Sequence, residues 1–140
     1  MTSTTKLESY LINLGMTFEE LNENTWVIND SEKGIERVVV IVEEPLVTIR
    51  VIVMPTPTSN REEFFETLLK LNATDLIHGA YGLSEENVVL IDSLQYATMD
   101  LEEFQASLDA IGLALAQHYS VLSKFRTKAA ESDDSTSKGD

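Results

Sequence analysis

Apolar positions in the first fifteen residues recur at helical spacing: Leu7, Tyr10, Leu11 and Leu14, with Gly15 as a stop. The spacing predicts a helix over residues 4–14. From Thr25 the pattern becomes extended. Runs at 25–29, 36–43 and 47–54 are rich in Val, Ile and Thr, the signature of a pleated, half-buried surface. In the third run Val47, Ile49, Val51 and Val53 fall on one face, and Thr48, Arg50, Ile52 and Met54 on the other. The connections, around Asp30–Gly34 and Glu43–Pro45, are short, which predicts an antiparallel meander. Pro55 and Pro57 end it, because proline has no N–H for a sheet ladder.

The second half repeats the alternation of element types. Asn60 with Glu63 reads as a capping box opening a helix that carries Phe64, Phe65, Leu68, Leu69 and Leu71. Segments 78–83 and 87–96, turned by Ser84–Glu86, read as a hairpin. Asp100 with Glu103 is a second capping box, before a long helix with Leu101, Phe104, Leu108, Ile111, Leu115 and Leu122 at three- and four-residue steps. Lys124, Arg126 and Lys128 near its end complement the helix dipole. From Ala129 the composition turns to Glu, Asp, Ser, Thr, Lys and Gly, so a disordered, acidic, Ser-rich tail is expected over 129–140.

The expected fold is therefore α+β, in the order α-β-β-β-α-β-β-α, as one domain over residues 1–128. Three helices cover only part of a one-layer antiparallel sheet. Trp26, Ile52 and Met54 are the expected apolar patch left needing a cover. Leu7, Tyr10 and Leu11 are candidates to face a bound protein, against the plainer reading that they pack on the sheet. Phe64, Phe65 and Leu68 offer more apolar surface than one helix face needs and are candidates for a dimer contact, with an ordinary core role equally open.

Composition narrows the function. The 140 residues suit one domain, and a hydrophobic fraction of 43% supports a real core. There are no cysteines, which excludes a disulfide framework, a thiolate zinc site and a cysteine nucleophile, and suits a reducing, cytoplasmic setting. No signal peptide is predicted, and the apolar stretch 38–54 is broken by Glu43, Glu44, Pro45 and Arg50, so no membrane helix is expected. The net charge is −14. Because the last ten residues hold four acids and one base, −11 belongs to the rest of the chain. Such a surface repels phosphate backbones and anionic lipid heads, so neither nucleic acid nor membrane is an expected partner.

Chemistry is sparse. His78 and His118 lie forty residues apart without a second ligand at metal-site spacing, so no metal is expected and both read as structural or surface residues. No Gly-x-Ser-x-Gly elbow places a nucleophile. Six adjacent acidic pairs, among them Glu43–Glu44 and Glu85–Glu86, fall mostly in turns or first helical turns, where acids are expected for solvation and capping. Gly79–Gly82 lacks the spacing of a phosphate loop. No catalytic residues and no cofactor are expected, and the chain reads as a non-enzyme.

Three stretches carry a resemblance: Leu68–Asn72, Gly79–Leu83 running into Glu86–Leu90, and Asp100–Phe104. With the element order, they resemble the YbjN-like proteins and the type III secretion chaperones over residues 4–123. The resemblance implies a cytoplasmic homodimer that uses no nucleotide and works as a chaperone-like adaptor holding a segment of a partner protein. The Gly-x-Tyr-x-Leu hairpin with Asp-Leu-Glu-Glu-Phe is similar to the YbjN-like branch. That branch implies an alternative, a regulatory module acting by dimerisation or by docking to a folded signalling partner.

Overall fold

The computed structural model describes residues 2–138, with side chains over 6–125. Among these residues three α-helices and six strands follow one another: α1 (Thr2–Asn13), β1 (Phe18–Asn22), β2 (Thr25–Asp30), β3 (Ile35–Glu43), β4 (Leu46–Pro55), α2 (Arg61–Thr74), β5 (Ala80–Ser84), β6 (Asn87–Gln95) and α3 (Leu101–Lys138), with one 3-10 turn, Ser31–Lys33, between β2 and β3. The six strands form one sheet in the order β1-β2-β3-β4-β6-β5, and every neighbouring pair is antiparallel. The α+β fold expected from the sequence is present, with one strand more. Phe18–Asn22 is a fourth strand in the first meander, too short and too acidic to show a period of two. The side chains of the acidic tail expected to be disordered, 129–140, lie outside the described residues.

Local chemistry explains the boundaries. The α1 helix ends in a left-handed Gly15, with Met16 N–H donating to Leu11 O and Gly15 N–H to Ile12 O, each at 3.0 Å. These two bonds satisfy carbonyls the helix leaves open. The box before α3 forms as expected: Glu103 N–H donates to Asp100 Oδ1 at 2.8 Å, and Asp100 N–H to Glu103 Oε1 at 3.1 Å. The box before α2 does not. Asn60 sits in the left-handed region and makes no side-chain capping bond, so only its backbone carbonyl serves Phe64 N–H.

The core lies on one face of the sheet. Trp26, Ile28, Val38, Val40, Val47, Ile49, Val88 and Leu90 are buried there with Leu7 and Leu11 of α1 and with Phe104, Leu108 and Ile111 of α3. Ring contacts tie the helices together: Tyr10 with Phe104 at 6.0 Å and Phe64 with Phe125 at 5.0 Å. Gly112 lets α3 approach the start of β3, since a Cβ there would meet Lys33 O at 3.4 Å.

Candidate protein-binding face and edge

Strand register decides which of the expected contact residues are free. In β4, Ile52 pairs with Val89 but Met54 pairs with Val88, so Val53 is an extra residue in the ladder. A single inserted residue reverses the parity of everything after it. Met54, expected beside Ile52, is therefore turned into the core at 2% exposure, while Ile52 stays 59% exposed. Trp26 is also interior: it alternates in step with Ile28, and its indole N–H donates to Glu8 Oε2 of α1 at 3.1 Å. Of the expected patch, Ile52 is the member that reaches solvent.

The α1 trio packs inward. Leu7 and Leu11 are fully buried, and the Tyr10 hydroxyl donates to Met99 O at 3.1 Å. Burial foremost, then Asp100, Tyr96 and Glu103 nearby, pushes the Tyr10 hydroxyl pKa up. Phe64 and Leu68 are likewise taken up inside the chain, and Phe65 is half-buried beneath the Arg61 guanidinium. On α2 the exposed apolar side chain is instead Leu69.

The sheet face opposite the core carries a different set of residues. Across it runs the row Glu19, Val27, Val39, Arg50, Ile91 and Ala80, one residue from each strand. Beside that row lie Ile41 on β3 and Ile52 on β4. Leu21, the extra residue of a bulge between Glu20 and Asn22 in β1, is 55% exposed at its end. These strands line a shallow groove of about 940 Å³. Its charged lining is Arg37 and Arg50. Arg37, two residues before Val39 on β3, shares its face; its backbone is left-handed (φ 57°) and its N–H donates to Asn29 Oδ1 at 2.8 Å. Arg50 Nη2 donates to Ser84 Oγ at 2.8 Å. The sequence reading missed Val27, Val39 and Ile41, although their alternation with Trp26 and Val40 pointed to this face.

The two sheet edges are unlike. At the β5 edge, Tyr81 N–H donates to Asn72 Oδ1 at 2.7 Å and Asn72 Nδ2 donates to Tyr81 O at 3.1 Å. The primary amide of Asn72 thus occupies the place of a neighbouring strand's peptide group. At the β1 edge, Asn29 N–H donates to Thr17 O at 2.9 Å. Antiparallel ladders alternate, so Glu19 bonds inward to β2 while the backbone groups of Phe18 and Glu20 point outward. Among the described residues, no hydrogen bond covers them.

A polar chain backs the β5 edge. The Tyr81 hydroxyl lies 2.7 Å from His118 Nδ1, and His118 Nε2 lies 3.2 Å from Asp75 Oδ2. Burial, with Asp75 as a second cause, pushes the Tyr81 hydroxyl up to about 12. The arrangement binds β5, α3 and the end of α2 together. Three elements joined through one buried imidazole make the geometry that of a brace. A second polar contact, Ser107 Oγ to Asp92 Oδ2, joins α3 to β6. Among the described residues no group of three His, Asp or Glu side chains stands close enough to hold a metal ion, and no helix is long and apolar enough to cross a membrane.

Comparison with known proteins adds the family. No curated protein matches the sequence significantly. Solved structures share the fold at low identity. YbjN from E. coli superposes with a TM-score of 0.64 at 15% identity, over 83% of this chain and 90% of YbjN. A chain of the ExoU–SpcU complex of the Pseudomonas aeruginosa type III secretion system gives 0.65 at 15% identity, over 79% of this chain and 93% of that one. The structure of the Yersinia pestis type III secretion chaperone SycH with a fragment of YscM2 gives 0.60 at 13% identity, over 82% and 98%. The family model CesT_Tir_1 matches residues 1–128, and the chain therefore belongs to that family of type III secretion chaperones.

Proposed function

We propose that this protein is a non-enzymatic, chaperone-like adaptor that holds an extended segment of another protein, taking it up as a seventh strand on β1. The observation that carries the reading is the contrast between the edges: Asn72 takes up both outward backbone groups of Tyr81 in the middle of β5, leaving Leu83 as the outward-facing residue beside it, whereas among the described residues nothing bonds the outward groups of Phe18 and Glu20 on β1. Main-chain hydrogen bonds supply affinity in such strand addition, and side-chain pockets supply choice. Membership of the family supports it. So do the ExoU–SpcU and SycH–YscM2 complexes, in which proteins of this fold are seen with a partner chain. A high negative charge keeps such a surface soluble. The setting we assign is the cytoplasm, with neither nucleic acid nor membrane as partner.

The test is co-purification from the native cytosol, with the protein tagged and bound chains identified by mass spectrometry. One dominant partner is expected, retained through an unfolded segment that the complex protects from protease and that Glu20→Pro releases. Retention of a folded partner, unaffected by Glu20→Pro, would sink the strand-addition reading. That outcome would favour the second reading, a regulatory module docked to a folded signalling protein, for which the likeness to YbjN speaks. Either reading uses a homodimer. Because Phe64 and Leu68 are spent inside the chain, the α2 residue to probe for that dimer is Leu69, by sedimentation of Leu69→Asp.

A further inference from the structure

The open groove reverses the sign of the molecule that carries it. The chain has 24 acidic and ten basic residues, yet the charged side chains lining the groove are both arginines. Neither belongs to an ion pair among the described residues. Arg50 is held by a neutral partner, the Ser84 hydroxyl, and Arg37 stands two residues along β3 from Val39, the direct partner of Arg50. Two acids share this face, Glu19 at the β1 end of the row and Glu43 two residues beyond Ile41 on β3, and both lie outside the lining. Around the guanidinium groups are Leu21, Val27, Val39, Ile41 and Ile52, five apolar side chains at least partly open to water. Bare apolar surface of this kind marks an interaction site, and guanidinium groups recognise carboxylates bidentately.

We propose that this groove seats an acidic, apolar segment of the partner protein, whose carboxylates pair with Arg37 and Arg50 while its apolar side chains cover Leu21, Val27, Val39, Ile41 and Ile52. The proposal deepens the adaptor reading and rests on it for the existence of a partner, but it concerns the face and not the edge. Discrimination follows from the charge. A basic segment is drawn to the acidic surface elsewhere and repelled at the groove, so the arginines choose the sequence laid across the sheet. The span from β1 to β4 is three strand spacings, roughly 14 Å, wide enough to seat a helix or an extended chain.

The full-length protein, labelled with ¹⁵N, is titrated with a synthetic peptide of alternating leucine and glutamate, and with its twin carrying lysine at every glutamate. The acidic peptide is expected to shift the amides of Val27, Val39, Arg50 and Ile52 and to weaken with added salt. Its affinity is expected to fall about tenfold in Arg37→Glu/Arg50→Glu and about threefold in the milder Arg50→Gln, since exposed and half-exposed pairs contribute modestly. Spectra of the free variants, unchanged away from the substitutions, establish that they fold. Glu20→Pro is expected to leave this binding intact. The proposal is overturned if the lysine twin shifts the same amides as strongly, or if the acidic peptide moves none of them. It is overturned too if Ile52→Asp converts a dimer into monomers, which would make the groove an interface between copies. Loss of binding in Glu20→Pro with no effect of the arginine variants would refute the groove and leave the edge reading standing.

Discussion

The two ends of the sheet solve the same problem in opposite ways. An edge strand exposes a row of unpaired backbone groups, which invites other chains. At β5 the row is interrupted at Tyr81: one asparagine of α2 supplies there both the donor and the acceptor that a seventh strand would supply, leaving Leu83 as the outward residue beside it, and the Tyr81–His118–Asp75 chain braces the strand from behind. At β1 nothing comparable is present among the described residues, and the strand carries Glu19, Glu20 and a bulge. Charge and a bulge discourage indiscriminate pairing, yet they leave the backbone free for a matched segment. The contrast teaches that edge protection is local and made by side chains: one amide guards the middle of β5, and β1 has no such guard among the described residues.

The comparison breaks most severely at Tyr81, the residue both devices share. Tyr81→Ala is expected to lower stability by about 3–5 kcal/mol, measured by denaturant unfolding, because it empties a buried aromatic site and strands His118 Nδ1. Alkali probes the same residue without mutation. Its hydroxyl is raised from 10.0 to about 12 in the folded protein, so its stabilising contribution is complete below about pH 10 and is lost as pH rises from 10 to 12. That loss is expected to be on the order of 2 kcal/mol, and unfolding curves of Tyr81→Phe over this range should lack it.

Asn72→Ala opens the β5 edge alone. It is expected to cost about 1–2 kcal/mol, and native-state hydrogen exchange at the Tyr81 amide should quicken while that at Leu90 does not. If exchange at Tyr81 is unchanged, Asn72 is not what closes the edge. Glu20→Pro is the smallest perturbation to the isolated protein, within about 0.5 kcal/mol, since the lost N–H points outward. A large destabilisation there would mean that the β1 backbone is already engaged within the molecule.

Much of this architecture was legible in the linear pattern. The periodicity of Leu7, Tyr10, Leu11 and Leu14, the stop at Gly15 and the Asp100–Glu103 box each act within a few residues, and each is found where the sequence placed it. The pairing of long-range partners was not. Phe18–Asn22 becomes a strand because β2 offers it a ladder, while its own composition argues weakly. Asn60 and Glu63 had the spacing of a capping box, and the left-handed backbone at Asn60 removed the geometry it needed.

The candidate site divides along the same line. Alternation alone determined that β2, β3 and β4 each have a buried and an open face, because successive side chains on an extended chain must point opposite ways. It also determined that an acidic chain with few helices would leave apolar sheet surface uncovered. Which residues stand on that surface was decided in three dimensions. An inserted Val53 sent Met54 to the core and left Ile52 outside, and the pairing of Val39 with Arg50 brought Arg37 of β3 and Arg50 of β4 into one groove. The closing of β5 by Asn72 joins residues nine apart on different elements, and the polar chain behind it joins residues 37 and 43 apart. Periodicity is set by neighbours along the chain, whereas bulges, edge closure and brace contacts are set by what the fold brings against them.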